Sequence, residues 1–358
     1  AHLNEEAVDP ETVEGGSVGG SLLSPQPRTE ISDTAFEPEI DLSDIKGQET
    51  AKRGLEIAAA GGHNIALFGP AGTGKTMLAK ALAGILPPLD FDAVIETTGI
   101  HSSAGFLSDA VMTRPPFRAP HHTTSYVAMV GGGVIPKPGE VTLAHNGVLF
   151  LDEFPEFDRK VLETLRQPLE ERMVSISRAR GSSLFPANFI LIAALNPCPC
   201  GNAGTSKPCE CAPQHLARYE RRLSGPIMDR IDIWIEVSKI DYEALAEGAQ
   251  GAGESAPMRE RVARARGRAR ERYADATRRT RLNSELSARD LSKYVPLAPE
   301  VKSALTSAAR SWGLSARSFH RMIKLARTIA DLNADADVTE AHVREAFTYR
   351  PRKLFARL

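Results

Sequence analysis

The sequence lacks an apolar run long enough to cross a membrane, an excess of either charge, and any cysteine outside one short stretch. The longest obvious apolar run, Phe189 to Leu195, is far shorter than the ~20 residues of a membrane-spanning helix. Lysine and arginine number 44 against 45 acidic residues, so the net charge of -1 does not indicate a nucleic-acid or membrane-surface protein. No signal peptide is recognisable. We therefore expect a soluble, cytoplasmic protein with no membrane partner.

Charge is nevertheless distributed unevenly along the 358 residues, a length that predicts two or three domains. Residues 1–40 are rich in Gly, Ser, Pro and acids without periodicity, which predicts a flexible acidic linker. Arg259 to Arg281 contains ten arginines and three acidic residues. A polyanion would bind this half of the chain, unless the run is a solvated helix face. Because the chain opens on Ala1 rather than Met, we expect further sequence upstream.

The clearest motif is F-G-P-A-G-T-G-K-T at residues 68–76, which contains the phosphate-binding pattern G-x-x-x-x-G-K-[ST]. An apolar strand at 64–68 precedes it and a helix-forming run at 77–83 follows it, as a P-loop requires. The glycines let backbone N–H groups surround a polyphosphate, while Lys75 brings a positive charge and Thr76 brings a hydroxyl to Mg²⁺. ATP and Mg²⁺ are therefore the predicted ligands.

Two further apolar strands end in polar residues of the kind that ATP hydrolysis needs. Val148 to Leu151 leads into Asp152, which can hold Mg²⁺ through water, and Glu153, which can polarise the attacking water. Phe189 to Leu195 leads into Asn196, which could sense the γ-phosphate or simply form a turn before Pro. The predicted nucleotide-binding residues are Gly69, Pro70, Ala71, Gly72, Thr73, Gly74, Lys75, Thr76 and Asp152, and the Mg²⁺ ligands are Thr76 and Asp152.

All four cysteines follow at once as C-P-C-G-x₇-C-E-C, namely Cys198, Cys200, Cys209 and Cys211. Such clustering in a cytosolic ATPase argues against disulfides and predicts a structural Cys₄ zinc knuckle. Its C-x-C pairs are tighter than the usual C-x₂₋₄-C spacing, which leaves free or redox-active thiols as the alternative.

Two other segments carry chemistry-bearing residues. The long Gly-, Pro- and His-rich segment 101–139 is predicted to be a functional loop. Its His121 and His122 are candidate metal ligands, but nothing nearby completes a site, which favours a polar loop pair. Short strands at 173–177 and 184–185 flank a basic hairpin tip with Arg178 and Arg180.

The remaining pattern predicts a helix that ends at Gly61-Gly62, a strand at 93–97, one amphipathic helix at 158–171, a basic helix at 217–223 and a strand at 233–237. From residue 241 onwards the chain reads as helices at 257–281, 299–311, 315–332 and 339–347. We expect Phe319, Met322, Ala326 and Ile329 to form the core face of the third of these and the helices to form a separate lid.

This order of motifs resembles the AAA+ ATPases. Five sequence motifs narrow the resemblance to the ComM/YifB family of magnesium-chelatase-like AAA+ proteins, over residues 41–350. They are I-K-G-Q, F-R-A-P-H-H-T, G-V-L-F-L-D-E-F, N-P-C-P-C-G and R-L-S-G-P-I-M-D-R-I-D. The resemblance implies an α/β P-loop core with a parallel central sheet and a Cys₄ insert (41–238), followed by an α-helical lid domain (239–358). Members usually begin with a Lon-protease-like domain, of which we expect this chain to hold at most the last residues.

The resemblance also implies a homo-hexameric, ATP-driven DNA helicase that promotes branch migration in natural transformation or recombination. Asn196 matches sensor 1, Arg230 the arginine finger and Arg317 sensor 2, with Arg321 one turn later as the alternative. The hairpin around Arg178 and Arg180 corresponds to a channel-lining, DNA-contacting hairpin, and residues 101–133 to a helix-2 insert. The implied catalytic residues are Glu153, Lys75, Asn196, Arg230 and Arg317.

Two other classes of function compete with the DNA motor. A magnesium-chelatase-type ATPase would remodel a protein partner, although the cysteine cluster and F-R-A-P-H-H-T speak against it. A non-motor module would use ATP only for assembly, which the intact Glu153 disfavours because that residue serves hydrolysis rather than binding.

Overall fold

The computed structural model describes residues 38–107, 111–133, 137–178, 181–203, 205, 207–222, 225–239, 253–276 and 280–350. The predicted linker, residues 1–40, lies outside these ranges except for its last three residues, and Arg180 of the predicted hairpin tip also lies outside them. Within the described ranges, no helix is both long enough and apolar enough to span a membrane.

The central element is a five-stranded parallel sheet, as predicted for the α/β class. The strands of the chain are β1 (Ile65–Phe68), β2 (Phe117–Arg118), β3 (Gly131–Gly132), β4 (Lys137–Pro138), β5 (Val148–Leu151), β6 (Met173–Arg178), β7 (Gly181–Pro186), β8 (Ile190–Leu195) and β9 (Ile233–Glu236). The parallel sheet has the order β2-β5-β8-β1-β9, and β3-β4 and β6-β7 are separate antiparallel pairs.

Helices surround the sheet and form the C-terminal region. They are α1 (Glu49–Gly61), α2 (Lys75–Ile85), α3 (Phe91–Ala104), α4 (Tyr126–Val130), α5 (Glu140–Leu143), α6 (Arg159–Thr164), α7 (Arg166–Glu171), α8 (Pro213–Arg222), α9 (Gly225–Met228), α10 (Ser255–Arg272), α11 (Ala288–Tyr294), α12 (Pro299–Ser311), α13 (Ala316–Asn333) and α14 (Glu340–Thr348).

Both faces of the sheet are buried, because successive side chains of a strand point to opposite faces. In β8, Ile190, Ile192 and Ala194 join one hydrophobic cluster with α1, α2 and the C-terminal helices. Leu191 and Leu195 join a second cluster with α4, α6 and α7. The near-continuous apolar strands are therefore explained by helices on both sides.

Two predicted elements are wrong, and each has a local cause. Residues 93–97 belong to α3 rather than to a strand, because the Asp90 side chain caps the helix by accepting from the Ala93 amide at 3.0 Å. The predicted helix 158–171 breaks into α6 and α7. Pro168 has no N–H to donate to the carbonyl of Thr164, so the helical hydrogen bonding is interrupted there.

The C-terminal helices confirm the predicted helical region. Met322, Ala326 and Ile329 of α13 are fully buried and Phe319 is partly buried, as the periodicity predicts. These helices share one hydrophobic cluster with α1, α2 and the sheet. The division of the chain into two domains at residue 238 stays a prediction.

The arginine run is only in part a solvated face, because most arginines of α10 bond to the body of the protein while Arg264 and Arg270 stay largely exposed. The guanidinium groups of five of its arginines donate to acceptors on α1, α2 and α13. The pairs are Arg259 with the Gly84 carbonyl, Arg261 with Glu56, Arg266 with the Ala59 carbonyl, Arg268 with the Asp331 carbonyl, and Arg272 with the Asp331 carboxylate. The run therefore fastens α10 to the body of the protein. The predicted helix 257–281 ends at Arg272.

Candidate nucleotide-binding site

The P-loop connects the carboxyl end of β1 to the first turn of α2. Gly72 and Gly74 have φ of 76° and 88°, in the left-handed region that favours glycine. A Cβ added at either would meet nothing within 4 Å, so the backbone encloses open space on that side. The Thr73 hydroxyl donates to the Pro70 carbonyl at 3.0 Å and fixes the loop. This cradle fits a polyphosphate.

Lys75 joins the P-loop to Asn196 at the end of β8. Its ammonium donates to the carbonyls of Gly69 and Pro70 at 2.7 and 2.6 Å, and to Asn196 Oδ1 at 3.1 Å. Burial lowers the pKa of Lys75, and the nearby charge of Asp152 opposes that shift. All three hydrogen-bond partners are neutral oxygens, so within the described ranges no anion of the kind that a phosphate would provide bonds directly to the buried ammonium.

The predicted Mg²⁺ ligands also meet. The Thr76 hydroxyl donates to Asp152 Oδ2 at 3.0 Å, because β5 and β1 are parallel and both lead into this edge of the sheet. Hydroxyl and carboxylate oxygens are ligands that Mg²⁺ prefers. ATP with Mg²⁺ therefore fits the residues present, as the sequence predicted.

Glu153 has a partner that the sequence did not assign. Its backbone is in the left-handed region with φ of 50°, and its carboxylate lies 3.1 Å from Nδ1 of His122. The ring of His121 lies against that of His122 with 4.1 Å between centroids and a tilt of 34°, and Nδ1 of His121 contacts the Thr123 hydroxyl. The P-H-H-T motif drew attention to these histidines in the sequence, but only the fold places them next to Glu153.

The four cysteines form one cluster next to this site. Their Sγ atoms all lie within 4.8 Å of one another, in the one such metal-capable group found among the described residues. No disulfide joins them. A Cβ on Gly201, within the cluster, would lie 3.5 Å from that of Ala71 in the P-loop. The cluster thus packs against the phosphate cradle.

Helix α8 follows the cysteine cluster and contacts two parts of the nucleotide site. The Tyr219 hydroxyl donates to the backbone carbonyl of Asn196 at 2.8 Å. Arg222 donates to the Pro155 carbonyl at 3.2 Å and to Glu156 at 2.6 Å, just after Glu153. Tyr219 was not predicted as a site residue, because its role depends on a contact across 23 residues of sequence.

The predicted arginine finger and sensor 2 lie at the opposite edge of the sheet. Arg230 and Arg317 both contact Oε1 of Glu170, at 2.5 and 2.6 Å. Burial raises the pKa of Glu170, but its contacts with these arginines lower it overall. A groove of about 750 Å³ runs along this edge and is lined by both arginines and by Arg321.

Arg230 cannot reach the P-loop of its own chain. Asn64, just before β1, donates to the Arg230 carbonyl at 3.0 Å, so Arg230 lies at the amino end of β1, while Gly69 lies at the carboxyl end. At ~3.3 Å per residue, these ends are roughly 16 Å apart. An arginine side chain covers less than half of that distance, and Arg230 is already held by Glu170.

Arg321 differs from Arg317 in its surroundings. Its guanidinium is 3.2 Å from Asp232, and the side chain is only 12% exposed, whereas the side chain of Arg317 is 53% exposed. Burial raises the pKa of Asp232, but Arg321 and His63 lower it well below the usual range. Arg321 is thus fixed within the fold, and Arg317 is accessible.

The predicted basic hairpin is formed by β6 and β7. Arg178 ends β6 and pairs in register with Gly181 of β7, so a hairpin is present where the sequence predicted one. Arg180 falls outside the described residues.

Comparison with known proteins agrees with this arrangement. Family models described as magnesium chelatase, subunit ChlI, and its C-terminal part match residues 41–245 and 252–350. The YifB protein of Salmonella typhimurium and the competence protein ComM of Haemophilus influenzae are each 45% identical over 313 residues, 87% of this chain. The DNA replication licensing factor mcm6 of Schizosaccharomyces pombe is 25% identical over 85% of the chain and 33% of its own length.

The chain spans 60% of the length of YifB and ComM. The two family models together cover all described residues from 41 onwards. The chain therefore belongs to the magnesium-chelatase-like family of AAA+ P-loop ATPases that includes YifB and ComM.

Proposed function

We propose that this chain is the ATPase part of a homo-hexameric DNA motor, a helicase that promotes branch migration in natural transformation or recombination. One observation carries the proposal: the P-loop lies with Asp152 and Asn196 at one edge of the sheet, and Arg230 lies with Arg317 at the opposite edge. The competence protein ComM and the more distant replication factor mcm6 support DNA as the substrate.

The half at the carboxyl edge binds and cleaves ATP. Bound ATP with Mg²⁺ supplies a γ-phosphoryl group that water can attack. Lys75 and Asn196 orient the phosphates, and Thr76 with Asp152 holds the metal. Glu153 polarises the water, and His122 holds the Glu153 carboxylate before ATP binds.

The half at the amino edge serves a neighbouring subunit. Arg230 and Arg317 share Glu170 as their partner and line one groove, so both can be presented to a nucleotide on the next chain. A guanidinium there stabilises charge that develops on the phosphoryl group. The greater exposure of Arg317 favours it over Arg321 as sensor 2.

The cysteine cluster holds one structural Zn²⁺ in this proposal. Four thiolates saturate a tetrahedral site and leave no open position for catalysis. With its Sγ atoms already within 4.8 Å of one another, the cluster needs little rearrangement to bind the metal. The metal then fixes the position of Asn196 relative to the P-loop.

DNA-stimulated ATP hydrolysis tests the DNA motor directly. Steady-state ATPase activity is measured alone, with linear duplex, and with forked or four-way DNA, and strand exchange is followed on the branched substrate. We expect branched DNA to stimulate hydrolysis and to be unwound, with Glu153→Gln as the inactive control. Absence of both effects in an active ATPase would refute the assignment.

The family model named for the magnesium chelatase subunit favours a second candidate, a remodelling ATPase that acts on a protein partner. The two candidates differ in what stimulates hydrolysis. A remodelling ATPase would be insensitive to every DNA in the same assay.

A further inference from the structure

A cavity of about 340 Å³ lies at the sheet edge opposite the P-loop, and the proposed ATPase mechanism does not use it. Gly147 and Ile190, at the amino ends of β5 and β8, contribute to its floor. The segment Leu86–Asp90 after α2 and the helix α10 contribute its walls. Its volume is in the range of small-molecule pockets.

The lining carries an excess of positive charge. Four arginines and two carboxylates line the cavity: Arg172, Arg266, Arg270 and Arg281, with Asp90 and Glu285. Asp90 lies 3.3 Å from Arg270 and 3.4 Å from Arg281, so these two arginines share one carboxylate.

Among the residues that the structure describes, the other two arginines bond to neutral oxygens. Arg172 donates to Asn188 Oδ1 at 2.6 Å and to the Ser284 hydroxyl at 3.2 Å, and Arg266 donates to the Ala59 carbonyl at 2.9 Å. No carboxylate in the described part of the chain is within ion-pair distance of either guanidinium. Burial lowers the pKa of Arg266 to about 10, which leaves it charged at neutral pH. Both cations therefore lack a directly bonded anion.

Gly267 leaves open space beside these arginines. It lies in the interior of α10, where glycine is a poor helix former. A Cβ at this position would meet nothing within 4 Å, so neither packing nor helix stability requires glycine. Its effect is to leave space in the cavity that it lines.

We propose that this cavity binds a small organic phosphate. Arginine pairs with phosphate through two parallel N–H donors, and Arg172 with Arg266 provides such donors on one cavity. The side chains of Leu86, Pro87 and Leu89 offer an apolar surface to the rest of the ligand. The site is separate from the P-loop, so one chain can hold ATP and this ligand at the same time.

Calorimetric titration with inorganic pyrophosphate tests the site, in chains that carry Lys75→Ala to weaken binding at the P-loop. We expect one equivalent to bind. Arg266→Gln should weaken that binding about 10- to 100-fold, since a charged hydrogen bond is lost. Gly267→Leu should abolish it by filling the cavity. The matched control is Arg264→Gln on the exposed face of the same helix, which should leave affinity unchanged.

The proposal would be overturned if Arg266→Gln and Gly267→Leu bound pyrophosphate as tightly as the control. Absence of any binding in the Lys75→Ala chain would also overturn it. Circular dichroism verifies that each variant is folded. If Gly267→Leu does not fold, Gly267→Ala and Arg266→Gln still decide the matter. A fall in affinity for a thymidine oligonucleotide, without a fall for pyrophosphate, would also overturn it and assign the cavity to nucleic-acid phosphates.

Discussion

Mixing two inactive variants tests whether Arg230 serves a neighbouring subunit. Arg230→Ala removes the arginine finger but leaves the P-loop, and Lys75→Ala does the reverse. Within one chain the two sites are separated by the span from Asn64 to Gly69, roughly 16 Å at ~3.3 Å per residue. An interface between unlike chains can therefore combine one intact P-loop with one intact finger.

The size of the effect follows from the geometry of a ring. Loss of an arginine finger costs about 10³- to 10⁵-fold in turnover, so each variant alone should be nearly inactive. In an equimolar random mixture, half of the P-loops and half of the fingers are intact. About one quarter of the interfaces are then complete, whatever the number of subunits in a closed ring. We expect roughly that share of wild-type activity if interfaces act independently, and less if they are coupled.

The assay is steady-state phosphate release at several mixing ratios, with activity greatest at equal amounts. Size-exclusion chromatography with one labelled variant establishes that the chains assemble together. The matched control pairs Lys75→Ala with Glu153→Gln, both at the carboxyl edge, and every interface of that mixture has a defective active site. Co-assembled Arg230→Ala and Lys75→Ala chains that remain as inactive as this control would refute action across the interface.

Four further predictions concern hydrolysis, the cysteine cluster, the basic hairpin and stability. Glu153→Gln should retain ATP binding, measured with a fluorescent nucleotide, and lose turnover, because an amide cannot polarise water; near-normal turnover would place the base elsewhere. Purified protein should contain one zinc per chain by metal analysis; far less zinc, with four thiols that titrate without denaturant, would contradict the Cys₄ site. Replacing Arg178 and Arg180 by Ala should reduce the slope of log K against log salt for DNA by up to about two, and an unchanged slope would exclude phosphate contacts. Burial lowers the pKa of Lys324 to about 8, so the unfolded chain binds more protons between pH 8 and 10.5 and the free energy of unfolding should rise across that range. Lys324→Met should remove this rise and increase the free energy of unfolding at pH 7 by about 1–3 kcal/mol, as measured by denaturant titration. A variant whose stability depends on pH in the same way as the wild type would contradict this prediction.

Consecutive residues determine the phosphate cradle, and the sequence therefore predicted it well. Glycine at positions with positive φ, a lysine and a threonine produce a P-loop wherever a strand precedes and a helix follows. Asp152 and Asn196 were also predictable, because each ends an apolar strand and parallel strands bring their carboxyl ends to one edge. The Thr76 to Asp152 contact is the direct result.

Secondary structure was mispredicted where a single side chain outweighed the pattern of its neighbours. The β-branched run at 93–97 favours a strand, yet the Asp90 cap and burial of Val94 and Thr97 on one helical face stabilise α3. At 158–171 the apolar periodicity was right, and one proline interrupted the hydrogen bonding.

Long-range relations were decided only by the tertiary structure. Two examples are the contact of His122 with Glu153 and the contact of Tyr219 with Asn196. The cavity beside Gly267 is a third, because segments far apart in the sequence line it. The arginine run shows the limit most clearly. Its composition indicates many cations, but whether a guanidinium binds a polyanion or a carbonyl of α1 depends on which surface α10 packs against. A sequence determines which groups it has and how neighbours in the chain are arranged, whereas packing between distant segments determines which groups meet.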